Sequence, residues 1–258
     1  NFYLTNLFVN IKYNKFDFGY NRSILSGGTP GLNWGLNDAA LVMFTNENIK
    51  YFDVTSNYYL LIHFPNSNLE IFSEFGFLNG SHINSFFTDA YSDHLQGSNI
   101  GLRKKDLFNN ENLFFGIEYL RLLQSNYFNI LPSPNWYDNP KYNFSSYRGH
   151  RWGAHSGSDS DDLLIFIGYT NPKIILTYGI NYERHGVTYN FPPEVKIESR
   201  VSVCLRRGSY NIIMYYENEY FEHYGFVDSN RNVWDETFEK GSLQRTNTIL
   251  LTVERNIF

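Results

Sequence analysis

The chain has 258 residues, enough for one large domain or two small ones, so length alone excludes little. Its composition is more informative, because 19% of the residues are aromatic while the mean hydropathy is only −0.39. The formal charge of −5 lacks the basic excess of a nucleic-acid-binding protein, so we predict no nucleic-acid partner. The single cysteine, Cys204, excludes an internal disulfide framework.

The apolar stretches are too short for a transmembrane helix. The longest purely apolar runs, such as residues 163–167, fall far short of the roughly 20 residues that such a helix needs. Many aromatic residues with a low mean hydropathy instead favour strands that are apolar on one face and polar on the other. The chain has no signal peptide and its first residue is Asn, so we expect a mature or truncated chain.

The predicted strands, taken in chain order, share an alternation of apolar and polar residues with a period of two. In residues 195–206 the apolar side chains fall on one face, and Lys196, Glu198, Arg200 and Cys204 fall on the other. Several predicted strands have about 10 residues, the length of a tilted membrane-spanning strand. Eleven strands are predicted, at residues 2–13, 15–21, 57–64, 68–78, 97–106, 112–122, 162–170, 173–183, 195–206, 209–221 and 245–257.

Short and long connections alternate between these strands. The short ones are Asn14 and residues 65–68, 108–111, 171–172 and 207–208. The long ones are residues 22–56, 79–96, 123–161, 184–194 and 222–244. This sorting is typical of a barrel with short periplasmic turns and long extracellular loops, whereas a soluble β-sandwich, the alternative fold, has no reason for it.

The pattern predicts an all-β fold, an antiparallel transmembrane β-barrel of the bacterial outer membrane, with residues 1–258 as a single domain of about 11–12 strands. Bacterial single-chain barrels have even strand numbers, so the count of eleven predicts part of a larger even-stranded barrel. A missing N-terminal segment or a further chain would complete it. A strand within residues 22–56, where 39–44 is apolar, would change the parity. Outer-membrane lipids and lipopolysaccharide are the expected partners.

Two segments resemble motifs of the Wzi-like family of capsule-assembly outer-membrane proteins. The segment YRGHRWGAHSGSDSDD, from Tyr147 to Asp162, resembles the family's Gly-His, Gly-x-Asp signature. The segment YNRSILSGGTPGLNWGLNDAALVMF, from Tyr20 to Phe44, resembles an earlier motif, although Leu25–Gly28 replace the usual Trp-Gly. The resemblance implies the C-terminal portion of a large even-stranded barrel that anchors or helps to assemble surface polysaccharide as a lectin.

Aromatic and polar residues in the long loops are the predicted polysaccharide site. Tryptophan rings suit stacking on sugar rings, and Arg, His and Asp side chains supply hydrogen bonds. The alternative is that the tryptophans form an interfacial aromatic girdle or pack the loops together. The predicted ligand-binding residues are Trp34, Trp136, Arg148, His150, Arg151, Trp152, His155, Asp159 and Trp234.

Metal binding and catalysis are not predicted. Asp159, Asp161 and Asp162 are the only candidates for oxygen ligands of a calcium ion, and the alternative is a loop ordered by Arg–Asp pairs. His155 and Ser156 supply residue types of a serine hydrolase but no evidence of its geometry. We predict no cofactor and no enzyme activity.

The sequence thus predicts a non-enzymatic outer-membrane protein that binds or anchors extracellular or capsular polysaccharide through its long loops. The alternative is a porin or solute channel, and the third reading is an outer-membrane enzyme acting on lipid or glycan. In both the polysaccharide-binding protein and the channel, charged residues on the strands are expected to line a water-filled lumen. These are Glu70, Glu74, Glu118, Glu183, Glu198 and Arg200.

Overall fold

The computed structural model of the chain describes residues 2–27, 53–78, 96–122, 146–147, 150–151, 160–185, 193–224 and 242–255. These residues are almost entirely strand. The strands are β1 (Phe2–Tyr13), β2 (Phe16–Gly27), β3 (Asp53–Phe64), β4 (Leu69–Leu78), β5 (Gln96–Leu107), β6 (Asn110–Leu122), β7 (Ser146–Tyr147), β8 (His150–Arg151), β9 (Ser160–Thr170), β10 (Ile174–His185), β11 (Glu194–Arg207), β12 (Tyr210–Tyr224) and β13 (Ser242–Arg255).

The all-β class and the eleven predicted strands are confirmed. Among the described strands, eleven form one antiparallel sheet in the order β1-β2-β3-β4-β5-β6-β9-β10-β11-β12-β13, with β1 and β13 as its edges. The two remaining strands, β7 and β8, pair with each other inside a predicted loop. Within the described ranges no helix is long and apolar enough to cross a bilayer.

The short predicted turns join strands that are neighbours in the sheet. Phe108 and Asn109 link β5 to β6 and both have positive φ angles, of 56° and 60°, as in a two-residue type I′ turn. Gly208, between β11 and β12, has a φ of 59°, and Asn14, between β1 and β2, has a φ of 53°. These left-handed residues reverse the chain tightly enough to fix the register of each hairpin.

Several strands extend further than the sequence predicts. Strand β2 continues to Gly27, because its residues pair in an unbroken ladder with β1, down to Gly27 against Phe2. Strand β10 includes Arg184 and His185, and β11 begins at Glu194, so part of the predicted loop 184–194 is strand. Backbone pairing with a neighbouring strand prolongs these elements where the side-chain alternation has already become irregular.

The chain divides into two compact units, which are described separately. Unit 1 comprises Asn1–Ile62, Phe72–Asn99 and Arg121–Asp159, and unit 2 comprises His63–Ile71, Ile100–Leu120 and Ser160–Phe258.

In unit 2 the register separates an apolar face from a polar face. Ile167, Tyr178, Val201, Tyr216 and Ile249 form one row across β9 to β13 and define the apolar face. Its side chains are open to solvent, with Tyr178 at 42% and Ile249 at 80% exposure. We call the opposite side of the sheet the polar face. It carries Glu183, whose side chain is buried. This is the reverse of the distribution expected in a water-soluble sheet.

On β10 the apolar face ends at a charged residue. Leu176, Tyr178, Ile180 and Tyr182 follow one another on this face and have exposures of 39–43%. The next residue on the same face is Arg184. We call the stretch from Leu176 to Tyr182 the apolar band of β10.

Unit 1 repeats this separation of faces on β1 and β2. Val9 lies opposite Tyr20, and Ile11 lies opposite Phe18, on an exposed apolar face. Asn10, Lys12 and Asp17 belong to the other face by the same register. Tyr59 of β3 contacts that polar face, where its hydroxyl group donates a hydrogen bond to Asp17 at 3.2 Å. Both units therefore follow the same two-faced plan.

Candidate functional site

The polar face of unit 2 holds a cluster of charged side chains from three adjacent strands. In β10 and β11 the cross-strand pairs are His185 with Glu194, Glu183 with Lys196, and Asn181 with Glu198. In β12, Glu219 lies opposite Glu198. Because residues that pair across a sheet share a face, all of these side chains converge. We call this group, together with Arg200, the polar-face cluster; its members are Asn181, Glu183, His185, Glu194, Lys196, Glu198, Arg200 and Glu219.

His185 connects two carboxylates at the end of β10. Its Nδ1 lies 2.9 Å from Oε1 of Glu194, and its Nε2 lies 3.2 Å from Oε2 of Glu183. A neutral imidazole carries one N–H, so only the charged imidazolium donates to both carboxylates. The Glu183 and Glu194 side chains are 3% and 11% exposed, which shields both contacts from water.

The protonation of His185 follows from these contacts. His185 lies beyond the apolar band of β10, past Tyr182 and Arg184. Burial alone would lower the pKa of its imidazole, but the hydrogen bonds and charges of Glu183 and Glu194 outweigh burial. The pKa of His185 is therefore raised above the ordinary value for histidine.

Lys196 occupies the centre of the polar-face cluster. Its Nζ lies 2.9 Å from Oε2 of Glu198, 3.0 Å from Oε1 of Glu219 and 3.9 Å from Oε1 of Glu183. Its side chain is 16% exposed, and the Nζ lies 5.8 Å from the centre of the Phe221 ring. One primary ammonium group thus joins carboxylates from β10, β11 and β12.

Arg200 extends the cluster along β11 over a glycine of β10. Its Nη1 lies 3.5 Å from Oε1 of Glu198. A Cβ atom added to Gly179 would lie 3.3 Å from Nε and 3.5 Å from Cγ of Arg200. Gly179 therefore leaves room for the arginine to lie close against the sheet.

A separate ion pair joins β9 to β10 beside the apolar face. The guanidinium group of Arg184 makes two hydrogen bonds to the carboxylate of Asp161, of which the one from Nε to Oδ1 is 2.8 Å long. The side chains are 38% and 6% exposed, respectively. Such a bidentate pair holds the two strand ends together and neutralises Asp161.

The two aspartates that were considered as calcium ligands lie on opposite faces of β9. Asp161 pairs with Arg184, whereas Asp162 lies opposite Glu183 on the polar face. Successive strand residues point to opposite sides, so these two carboxylates do not converge on one ion. Within the described part of the chain, no group of three or more His, Cys, Asp or Glu side chains is arranged to hold a metal ion.

Two phenylalanine rings cover glycines on neighbouring strands of the polar face. A Cβ atom on Gly116 would lie 2.2 Å from the Phe166 ring, and one on Gly168 would lie 2.1 Å from the Phe114 ring. The two ring centres are 6.3 Å apart at an interplanar angle of 60°. This reciprocal packing requires glycine at both positions, because any side chain would occupy the space of a ring.

Most residues of the predicted polysaccharide site lie outside the described residues. These are Trp34, Trp136, Arg148, Trp152, His155, Asp159 and Trp234. The backbones of His150 and Arg151 form β8, in which His150 pairs with Tyr147 and Arg151 with Ser146. The site therefore stays a prediction.

Sequence reasoning identified part of the polar-face cluster. Glu183, Glu198 and Arg200 were expected on a polar strand face, and the register places all three on it. His185 and Glu194 were missed because they were assigned to a loop. Extending the predicted strand 173–183 by two residues and starting the predicted strand 195–206 one residue earlier would have found both.

Comparison of the chain with known protein families, with curated proteins and with solved structures finds no match. The class of this protein therefore rests on its own fold. It is an all-β chain whose main sheet has an exposed apolar face and an opposite polar face in each unit, and in unit 2 the polar face carries buried charged side chains such as Glu183 and Glu198.

Proposed function

We propose that this chain forms part of the wall of a transmembrane β-barrel in the bacterial outer membrane. The observation that carries the proposal is the inverted burial of the described side chains. Aliphatic and aromatic residues such as Tyr178, Ile249 and Leu251 are 42–80% exposed, while Glu183, Asn181 and Glu198 are at most 6% exposed. Lipid would cover the first group, and an aqueous lumen would meet the face that carries the second.

The length of the apolar face supports a membrane span. On β10 it runs from Ile174 to Tyr182, a distance of about 27 Å at about 3.4 Å per residue. With the strand tilt of about 40° that is typical of such barrels, the apolar face from Ile174 to Tyr182 is about 21 Å tall, close to the roughly 25 Å usual for them. Arg184, the next residue on this face, would then lie at the level of the lipid head groups.

Cys204 provides a direct test of which face meets water. It shares a face with Glu198 by register, whereas its neighbour Val203 lies opposite Leu176 and Met214 on the apolar face. With the chain folded in lipid vesicles, a charged thiol reagent that does not cross membranes should label Cys204. The Cys204→Ser/Val203→Cys variant moves the thiol by one residue and should react far more slowly. Equal labelling rates would refute the membrane assignment.

We further propose that the long connections bind surface polysaccharide, as the resemblance to the Wzi-like family implies. The segment that carries the family signature leads directly into β9, which starts at Ser160. Within this segment β7 and β8 form a short hairpin that contains His150 and Arg151. The backbone of Arg151, the residue before Trp152 in the sequence, is paired with Ser146. Backbone pairing next to a sugar-stacking side chain would restrict its position.

A solute channel is the second candidate, and the charge on the polar face favours it. A lumen lined by Glu183, Lys196, Glu198 and Glu219 would be hydrated and would discriminate between ions. The two functions are separated by measuring glycan binding and liposome swelling on the same protein. Binding without solute flux supports the polysaccharide function, and flux without binding supports the channel.

The loop residues can be tested once glycan binding has been measured. Replacing Arg151 and Trp152 with alanine should weaken glycan retention without changing barrel assembly, because stacking and charged hydrogen bonds would be lost. Arg207→Ala is the matched control, since Arg207 is an exposed arginine beside the short turn at Gly208. Unchanged retention in the double variant would exclude these residues from the site.

A further inference from the structure

We propose that the polar-face cluster binds an organic cation with a primary ammonium group. The ammonium group would donate hydrogen bonds to Oδ1 of Asn181 and to the carboxylates of Glu183 and Glu198. This inference rests on the proposed function, in which the polar face lines an aqueous lumen. It names the class of ligand that the face would select. Polyamines and amino-bearing solutes belong to this class.

Among the described residues of this face on β9 to β13, acidic groups outnumber basic ones. The basic groups on it by register are Lys196, Arg200 and Arg206, and protonation of His185 adds a fourth positive charge. The acidic groups on it by register are Asp162, Glu183, Glu194, Glu198, Glu217, Glu219 and Glu254. Excess carboxylates packed among other side chains repel one another more strongly than they would in water, so a further cation is attracted.

Asn181 supplies an acceptor that the described residues leave unused. Its side chain is 4% exposed, and its Nδ2 donates a 2.5 Å hydrogen bond to Oε1 of Glu183. That bond fixes the orientation of the amide, because the reversed amide would set its oxygen against a carboxylate. Oδ1 of Asn181 has no hydrogen-bond partner within the described part of the chain. A buried acceptor in this position favours a ligand that donates a hydrogen bond.

The cluster already holds a group of the proposed kind. Nζ of Lys196 is a primary ammonium, bound by Glu198 at 2.9 Å and Glu219 at 3.0 Å. A divalent metal is the weaker alternative, because no metal-holding group of His, Cys, Asp or Glu occurs among the described residues. An ammonium group has three N–H donors, which suits a group of acceptors made of one amide oxygen and two carboxylates.

The test uses the full chain folded in detergent micelles, with spermidine as the probe and isothermal titration calorimetry as the measurement. Spermidine should bind, and Asn181→Leu and Glu198→Gln should each weaken binding about tenfold, the usual effect of losing one hydrogen bond to a charged group. Tetramethylammonium, which has the same type of charge but no N–H, should bind more weakly than methylammonium. Glu254→Gln is the matched control, since Glu254 lies on the polar face of β13 opposite Asn211, near the turn end.

Two results would overturn the proposal: no spermidine binding, or equal weakening by Glu254→Gln, which would indicate general attraction to an acidic protein. Glu198→Gln keeps the shape of the side chain, and the strand signal in circular dichroism checks that each variant folds. The thiol-labelling experiment recognises failure of the proposed function separately. Equal labelling rates of Cys204 and of a cysteine at position 203 would refute the assignment of the polar face to an aqueous lumen, whether or not spermidine binds.

Discussion

Replacing Leu251 with arginine tests the membrane assignment at a position with a built-in control. Leu250 and Leu251 are consecutive leucines of β13 whose side chains point to opposite faces. Leu251 lies opposite Met214 on the apolar face, and Leu250 lies opposite Tyr215 on the polar face. Their exposures are similar, at 65% and 53%, so a water-soluble sheet would treat the two substitutions alike.

The expected difference follows from the depth of Leu251 in the apolar face. Ile249 and Val253 flank it on the same face, each about 7 Å away along the strand. Leu251 therefore lies at least about 5 Å inside the edge of the apolar region if the strand is tilted by about 40°. Arginine facing lipid costs about 2–4 kcal/mol at the bilayer centre and about 0–1 kcal/mol near the interface. We expect Leu251→Arg to destabilise the fold by about 2 kcal/mol.

The assay is urea unfolding of the chain in phospholipid vesicles, followed by the change in gel mobility between folded and unfolded protein. Leu250→Arg should change the free energy of unfolding by no more than about 0.5 kcal/mol, because its guanidinium group would stay in water beside Tyr215. A cost that is the same for both variants would refute the reasoning, since it would mean that both faces meet the same solvent.

Three further predictions concern the polar face. The pKa of His185 is raised in the folded chain, so the stabilisation from its charged form is complete below the pKa of the unfolded chain and is lost as the pH rises through the pKa of the folded chain. The urea concentration at the unfolding midpoint should fall over that pH range. The His185→Gln variant should flatten this pH dependence. Gly116→Val should destabilise the fold by about 1–3 kcal/mol through its clash with the Phe166 ring, and adding Phe166→Ala should restore part of the loss in the same urea assay. Lys196→Met should cost about 3 kcal/mol by removing the ammonium group that Glu198 and Glu219 contact, and recovery of stability at low pH, where carboxylates are protonated, would distinguish this cause from lost packing.

The sequence predicted the strands well because their information is local. Alternation with a period of two identifies a strand and assigns each residue to a face, and residues such as Asn109 and Gly208 mark the tight turns. The ends of β2 and β10 were predicted too short, because there the strand is held by backbone pairing with its neighbour. That information lies in another part of the chain.

The candidate site depended on tertiary structure to a greater degree. The alternation placed Lys196 on a polar face, but which carboxylates meet its ammonium depends on how β10, β11 and β12 align. A shift of one residue in either ladder would exchange the two faces, and a shift of two would bring different pairs together. Gly116 and Phe166 likewise show no relation in the sequence, although the fold packs one against the other.

By itself, then, the sequence determined an all-β chain with two-faced strands, tight turns on alternate connections and most of the residues on each face. Only the tertiary structure decided the pairing register, and with it the polar-face cluster, the Arg184–Asp161 pair and the unused acceptor of Asn181. The physical reason is that side-chain alternation is a property of one strand, whereas hydrogen bonds and ion pairs across a sheet are formed between strands that are separate in the chain.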